Sequence, residues 1–187
     1  MTLTVSVDLP HKNAVSKIYL ILLIYQTMYT GSGQIANFLL KNSQMLATAE
    51  SCTGGMIAAA CTDLAGSSAW FERGFVTYSN EAKTHMLGVD PALIAQHGAV
   101  SEAVVRAMVH GAIAHSRAQV AVAVTGVAGP TGGSAAKPVG TVWFGFATPA
   151  GVVTEVQHFA GDRAAVRIAT VQHALHRLAA LLTAPAA

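Results

Sequence analysis

Met45-Leu46-Ala47-Thr48-Ala49-Glu50-Ser51-Cys52-Thr53-Gly54-Gly55-Met56-Ile57-Ala58-Ala59-Ala60-Cys61 is the stretch on which the fold turns. Met45-Leu46-Ala47 reads as the end of a short buried strand, and Met56 to Cys61 as a buried helix. Ser51 then lies near a strand-to-helix turn, with the N–H groups of Thr53, Gly54 and Gly55 close behind it. A hydroxyl there faces the positive end of a helix dipole and several donors without intrahelical partners. Such a place suits a nucleophile whose oxyanion needs donors. It equally suits an ordinary helix cap, where Ser and Thr are favoured.

Working outward, Ile35, Phe38 and Leu39 fall at helical spacing and predict a first helix over 32–42. Residues 66–68 (GSS) read as a loop and Gly74 to Tyr78 as a strand. Asn80 then caps a helix from Glu81 to Leu87 that Gly88 closes. Asp90 and Pro91 open a short helix ended by Gly98. Ser101 and Glu102 open a longer one, with Val104, Val105, Met108, Val109, Ala112 and Ile113 as its buried stripe. Gln119 to Thr125 (QVAVAVT) reads as a strand buried on both faces. Val139 to Thr148 and Val152 to Phe159 read as a hairpin joined by Pro149-Ala150-Gly151. Arg163 to Leu182 closes the chain as a helix, with Ile168, Val171, Leu175, Leu178 and Leu182 on one face. This order predicts a three-layer α/β/α domain with a mixed, mostly parallel sheet.

Composition narrows the function classes. The chain has 187 residues, 52% hydrophobic and 11% charged, which argues one globular domain rather than disorder. A formal net charge of +2 gives no footprint for nucleic acid. Cys52 and Cys61 share one apolar segment and read as reduced core thiols of a cytoplasmic protein, not a disulfide framework. Ile18 to Tyr25 (IYLILLIY) is shorter than the ~20 residues of a membrane span, and no small-x-small cleavage site follows it. Residues 1–27 therefore read as an N-terminal extension, with Met28 as an alternative start, ahead of a domain over 28–187; an extra element packed on a partner is the other reading.

A second cluster is Tyr78-Ser79-Asn80-Glu81-Ala82-Lys83. Lys83 falls in the first turn of a helix, where the dipole disfavours a cation. Desolvated there, its amine approaches the range of a general base and can take the Ser51 proton. A solvated lysine paired with a carboxylate is the plainer alternative. Gly126 to Gly133 (GVAGPTGG) follows the most buried strand, at the end where α/β sheets collect ligands; it is no Walker A loop, and a simple turn also explains it. Gly31-Ser32-Gly33-Gln34-Ile35-Ala36 fits a dinucleotide fingerprint, but five residues separate Gly31 from Tyr25, too far for the tight turn that motif needs. His173 and His176 lack a third ligand, so a solvated helix face is expected and no metal site. Cys52 has no marked partner base and reads as a small buried hydrophobe.

Several segments together carry a resemblance. Residues 48–55 (TAESCTGG), 66–83 (GSSAWFERGFVTYSNEAK), 97–102 (HGAVSE), 126–133 (GVAGPTGG), 137–144 (KPVGTVWF) and Gly161-Asp162-Arg163 resemble the CinA C-terminal domain family. The stand-alone members of that family are nicotinamide mononucleotide deamidases of the PncC type. The resemblance covers about residues 30–182 with the motifs in family order. It implies hydrolysis of a nucleotide carboxamide to nicotinate mononucleotide and ammonia, with no metal or cofactor, in a homo-oligomer. It also implies Ser51 as nucleophile, Lys83 as general base and Tyr78 as the residue orienting them. Glu50, Thr53, Gly54, Asn80, Thr125, Gly126, Gly129 and Arg163 become the candidates for ribose and phosphate contacts. Two rivals stand beside it. One is a non-catalytic ligand-binding or regulatory module, since this domain also occurs attached to a larger competence-associated protein. The other is a dinucleotide-binding oxidoreductase resting on Gly31 to Ala36.

Overall fold

Leu46–Glu50 (β1) and Val120–Gly126 (β3) lie side by side as parallel strands, with Ala49 opposite Ala123 and Thr48 opposite Val122. The structure, a computed structural model, describes residues 31–184. The apolar run at 18–25, the extension over 1–27 and the alternative start at Met28 lie outside the described residues.

Alternation along these two strands builds the layers. Leu46, Val120, Val122 and Val124 face one side, Ala47, Ala49, Ala121 and Ala123 the other. The branched face packs against a helix described over residues 31–41 (α1), Met56–Thr62 (α2) and Arg163–Thr183 (α6). The alanine face lets Asn80–Leu87 (α3), Pro91–His97 (α4) and Glu102–Ala114 (α5) come close. Phe71–Val76 (β2) pairs parallel with β1. Thr141–Thr148 (β4) pairs antiparallel with β3, and Gly151–His158 (β5) antiparallel with β4. The sheet order is β2-β1-β3-β4-β5. The result is the three-layer α/β fold with a mixed sheet, its parallel half carrying the strand-to-helix connections and its antiparallel half the hairpin. Among the described residues, no helix is long and apolar enough to cross a membrane.

Local details depart from the sequence reading. The strand expected over 74–78 begins at Phe71 and ends at Val76, so Tyr78 lies beyond it. Ser79, not Asn80, caps α3, its hydroxyl accepting the Ala82 N–H at 3.0 Å. Asp90 caps α4 with Pro91 at its start, as its sequence predicts. Residues 66–68 lead into a single 3-10 turn at Ser67–Ala69. Along α6 the buried face shifts to include Val166 and Thr170, and Ile168 is only half-buried. The Gly31–Ala36 segment lies within α1, where Gly31 faces Leu175 of α6. These glycines therefore form no phosphate-binding turn, and the dinucleotide fingerprint falls away.

α5 meets the end of α3 through Gly111, where an added Cβ would collide with the Leu87 carbonyl. That backbone cannot yield as a side-chain tip would. Gly111→Ala is expected to destabilise the fold by about 1–3 kcal/mol, as other overpacked cores are. The midpoint of urea unfolding measures it, and an unchanged midpoint would show that α3 is free to shift.

Candidate active site

The strand-to-helix corner is built on Glu50. Its side chain shares the face of Leu46 and Thr48 on β1, which directs it under α2 rather than toward solvent. It is 1% exposed. Its carboxylate accepts the N–H groups of Gly55 (3.0 Å), Ile57 (3.0 Å) and Ala58 (2.8 Å). The anion thus occupies the positive end of α2. This corrects the expectation that Glu50 contacts ribose: its oxygens are spent inside the core.

One residue on, Ser51 points to the opposite face. Its N–H continues the sheet by donating to the Val124 carbonyl at 3.1 Å. Its hydroxyl meets Lys83 of α3, whose Nζ lies 3.1 Å from Ser51 Oγ and donates to the Thr77 carbonyl at 2.9 Å. Lys83 is 1% exposed and pairs with no carboxylate among the described residues, so the solvated, ion-paired lysine is not what forms. Burial holds its amine below the ordinary lysine range. The Thr77 carbonyl fixes where the amine points, and Thr77 is itself fixed by donating its N–H to the Glu50 carbonyl at 2.8 Å.

The pair opens into a cavity of about 240 Å³ lined by Ser51, Cys52, Tyr78, Asn80, Lys83, Ala99, Val100, Thr125, Gly126, Ala128 and Arg163. Of the candidates, Ser51, Lys83, Tyr78, Asn80, Thr125, Gly126 and Arg163 therefore come together. Thr125 is held by donating its hydroxyl to the Ala99 carbonyl at 2.9 Å. Thr53 is fully buried behind the corner and Gly54 lies on its outer side near Arg167; neither lines the cavity. Gly129, which precedes a cis proline, reaches the site only through its carbonyl, which accepts from Arg163 Nη1 at 2.9 Å.

Tyr78 takes a different partner from the one expected. Its hydroxyl accepts from Arg163 Nη2 at 2.9 Å, and its side chain is 59% exposed. Tyr78, Arg163 and Gly129 form a polar rim at the mouth, while the Lys83 amine meets the Thr77 carbonyl rather than the Tyr78 hydroxyl. Burial pushes the Cys52 thiol up to about 11, so it stays protonated and is no rival nucleophile.

Two further points were hidden in the sequence. Arg167, one helical turn after Arg163, donates to the Cys52 carbonyl at 3.1 Å and to the Thr53 carbonyl at 2.8 Å. Its i,i+4 relation to Arg163 was the available signal. His173 is not on a solvated face: it pairs with Glu155, which Arg177 also holds at 3.0 Å, and its ring lies 4.7 Å from that of Phe144. Among the described residues, no three His, Cys, Asp or Glu side chains cluster as a metal site would.

The model of the CinA C-terminal domain matches residues 29–182. The chain belongs to the CinA C-terminal domain family. It is 56% identical over 148 residues to the nicotinamide-nucleotide amidohydrolase PncC of Escherichia coli K12, covering 79% of this chain and 90% of that one. It is 55% identical over 150 residues to the protein of the same name in Pseudomonas putida, covering 80% and 94%. The crystal structure of the competence/damage inducible protein CihA from Agrobacterium tumefaciens matches with a TM-score of 0.80 and 46% identity, over 83% of this chain and 95% of that one.

The burial of Glu50 has a measurable consequence. Glu50→Gln replaces one acceptor oxygen by an amide that faces N–H donors. The loss is expected to be about 2–3 kcal/mol of unfolding free energy, the scale of hydrogen bonds to charged groups. Chemical denaturation of the variant tests this; a change within about 0.5 kcal/mol, typical of surface sites, would show the anchor to be idle.

Proposed function

We propose that this chain is a nicotinamide-nucleotide amidase that hydrolyses nicotinamide mononucleotide to nicotinate mononucleotide and ammonia, using Ser51 as nucleophile and Lys83 as general base. The observation that carries the reading is the buried Lys83 Nζ, 3.1 Å from Ser51 Oγ, with no carboxylate among the described residues to hold its proton. The PncC relatives supply the substrate class.

The neutral amine takes the Ser51 proton as Oγ attacks the carboxamide carbon. The carbonyl oxygen becomes an oxyanion, met by backbone N–H at the corner near Cys52. Lys83 returns its proton to the departing nitrogen, which leaves as ammonia, and an acyl-serine remains. Water then gives one proton to Lys83 while its oxygen attacks the acyl carbon. Collapse expels Ser51 Oγ, which recovers the proton from Lys83, and the new carboxylic acid gives its proton to the released ammonia, so that nicotinate mononucleotide leaves as the carboxylate. In this reading Thr125, Gly126 and Asn80, which line the same cavity, contact the ribose, and Arg163 is the phosphate clamp. Its present bonds to Tyr78 and the Gly129 carbonyl pre-set the guanidinium at the mouth, and a phosphate would exchange for one of them. No step calls on a metal or cofactor. The reading also takes residues 28–187 as the working domain, in a cytoplasmic homo-oligomer whose free, buried Cys52 and Cys61 suit a reducing compartment.

Ser51→Ala is expected to cut turnover of nicotinamide mononucleotide by at least ~10³ with the fold retained. Ammonia release without added metal is the readout. A regulatory module would release none even in the wild type, and near-normal turnover by Ser51→Ala would exclude this nucleophile.

The pH profile follows from the direction of the Lys83 shift. Below its depressed pKa the amine is protonated and cannot accept the serine proton; above it the base is free. Accordingly kcat/KM should rise with pH and level off at an apparent pKa below the ordinary value of roughly 10.4. Lys83→Arg should be nearly inactive at every pH tested, because guanidinium keeps its proton. An active Lys83→Arg enzyme with the wild-type profile would move the base elsewhere.

A further inference from the structure

Tyr78 lines the cavity that holds Ser51 and Lys83, yet its hydroxyl is bonded at the mouth and not at the dyad. The Lys83 amine is met by Ser51 Oγ and by the Thr77 carbonyl. Tyr78 Oη instead accepts from Arg163 Nη2 at 2.9 Å, and the side chain is 59% exposed, against 1% for Lys83. A tyrosine that braced the dyad would be buried beside the lysine. This one stands where the substrate enters.

The direction of the Arg163 bond decides what Tyr78 can do there. A phenol is both donor and acceptor, and the guanidinium takes only a lone pair, which leaves the O–H to donate. Arg163 also donates through Nη1 to the Gly129 carbonyl at 2.9 Å. That carbonyl can accept but never donate, and so can an anionic phosphate, so the two repel and compete for the same N–H. Tyr78 has no such conflict: it keeps the arginine with its lone pair and offers its proton to the anion. The adjacent carboxylate of Asp162 is committed elsewhere, accepting the Ala165 N–H at 2.9 Å as the cap of α6. The mouth therefore presents two donors side by side, a guanidinium and the phenol it holds, which suits a phosphate.

We propose that Tyr78 is a specificity-determining residue that binds the 5′-phosphate of the substrate together with Arg163, the phosphate replacing the Gly129 carbonyl on Nη1 while the Tyr78–Arg163 bond persists. The proposal deepens the amidase reading above and rests on it for the identity of the nucleotide. It places Tyr78 in substrate affinity, in the choice of nucleotide over nucleoside, and outside proton transfer between Ser51 and Lys83.

Calorimetric titration of Ser51→Ala and Ser51→Ala/Tyr78→Phe tests it, with nicotinamide mononucleotide and with nicotinamide riboside, its phosphate-free counterpart. Ser51→Ala should bind the mononucleotide at least about tenfold more tightly than the riboside. Adding Tyr78→Phe should weaken the mononucleotide about tenfold, the scale of one hydrogen bond to a charged group, and shift the riboside by less than about threefold. With Ser51 in place, Tyr78→Phe should raise KM by about the same factor, lower kcat less than about threefold, and keep the pH at which kcat/KM levels off. Unchanged mononucleotide affinity, an equal loss for both ligands, or a fall in kcat with a displaced pH profile would overturn the proposal, the last returning Tyr78 to the dyad. Turnover by Ser51→Ala, or a wild type that releases no ammonia, would instead overturn the amidase reading, and the affinities would still decide whether Tyr78 holds the phosphate.

Discussion

A carboxylate buried under the first turn of a seven-residue helix is the contact from which the site is assembled. Glu50 gathers three N–H groups of α2 and through its own carbonyl holds the Thr77 N–H. The first set fixes the corner that bears Ser51; the second fixes the carbonyl that aims Lys83. Serine and lysine, 32 residues apart, are thus referenced to one residue at the end of β1. Buried ionisable groups are costly unless paired or discharged, and the fold uses both solutions within a few ångströms. Glu50 is satisfied by dipoles, whereas Lys83 receives one carbonyl and one hydroxyl and its amine is driven toward the neutral form.

The sheet makes that encounter possible by being asymmetric. Valines and phenylalanines fill the side facing α1, α2 and α6, while alanines line the side facing α3, α4 and α5. Small residues on that second face let α5 seat closely, and α5 in turn stops α3 through Gly111. The position of Lys83 is therefore a packing result: the lysine is aimed by where its helix can rest.

Much of this was legible along the chain. Val120, Val122 and Val124 alternating with Ala121 and Ala123 announce a strand covered on both sides. Asp90-Pro91 and Ser101-Glu102 mark helix starts through local chemistry alone. Ser51 and Lys83 emerged as candidates because a strand-to-helix turn and a first-turn lysine each have a physical meaning; the family motifs joined them. What local reading missed was parity. On β1, Glu50 shares a face with Leu46 and Thr48, so it turns away from the face that Ser51 uses, and a strict count of two along the strand would have taken it off the ribose contacts. Tyr78 and Arg167 were hidden for another reason. Their partners are Arg163, 85 residues away, and the Cys52 and Thr53 carbonyls, more than a hundred residues away, and no spacing rule reaches that far.

The donor economy of the corner changes how the site's electrostatics should be viewed. The sequence suggested a nucleophile stabilised by the open N-terminus of a helix. In the folded chain that terminus is already claimed by Glu50, so the positive end of α2 is largely neutralised before any substrate arrives. On the α6 side Arg167 places a cation against the same corner, bound to it through two carbonyls. An anion and a cation on opposite sides of one turn cancel much of each other's field at a distance while each fixes a different set of backbone groups. That arrangement gives rigidity without a strong net charge near Lys83, and a strong positive charge there would depress the amine further and weaken it as a base. The corner is thus held from the α6 side by Arg167, while burial on the α3 side keeps the Lys83 amine below its ordinary range.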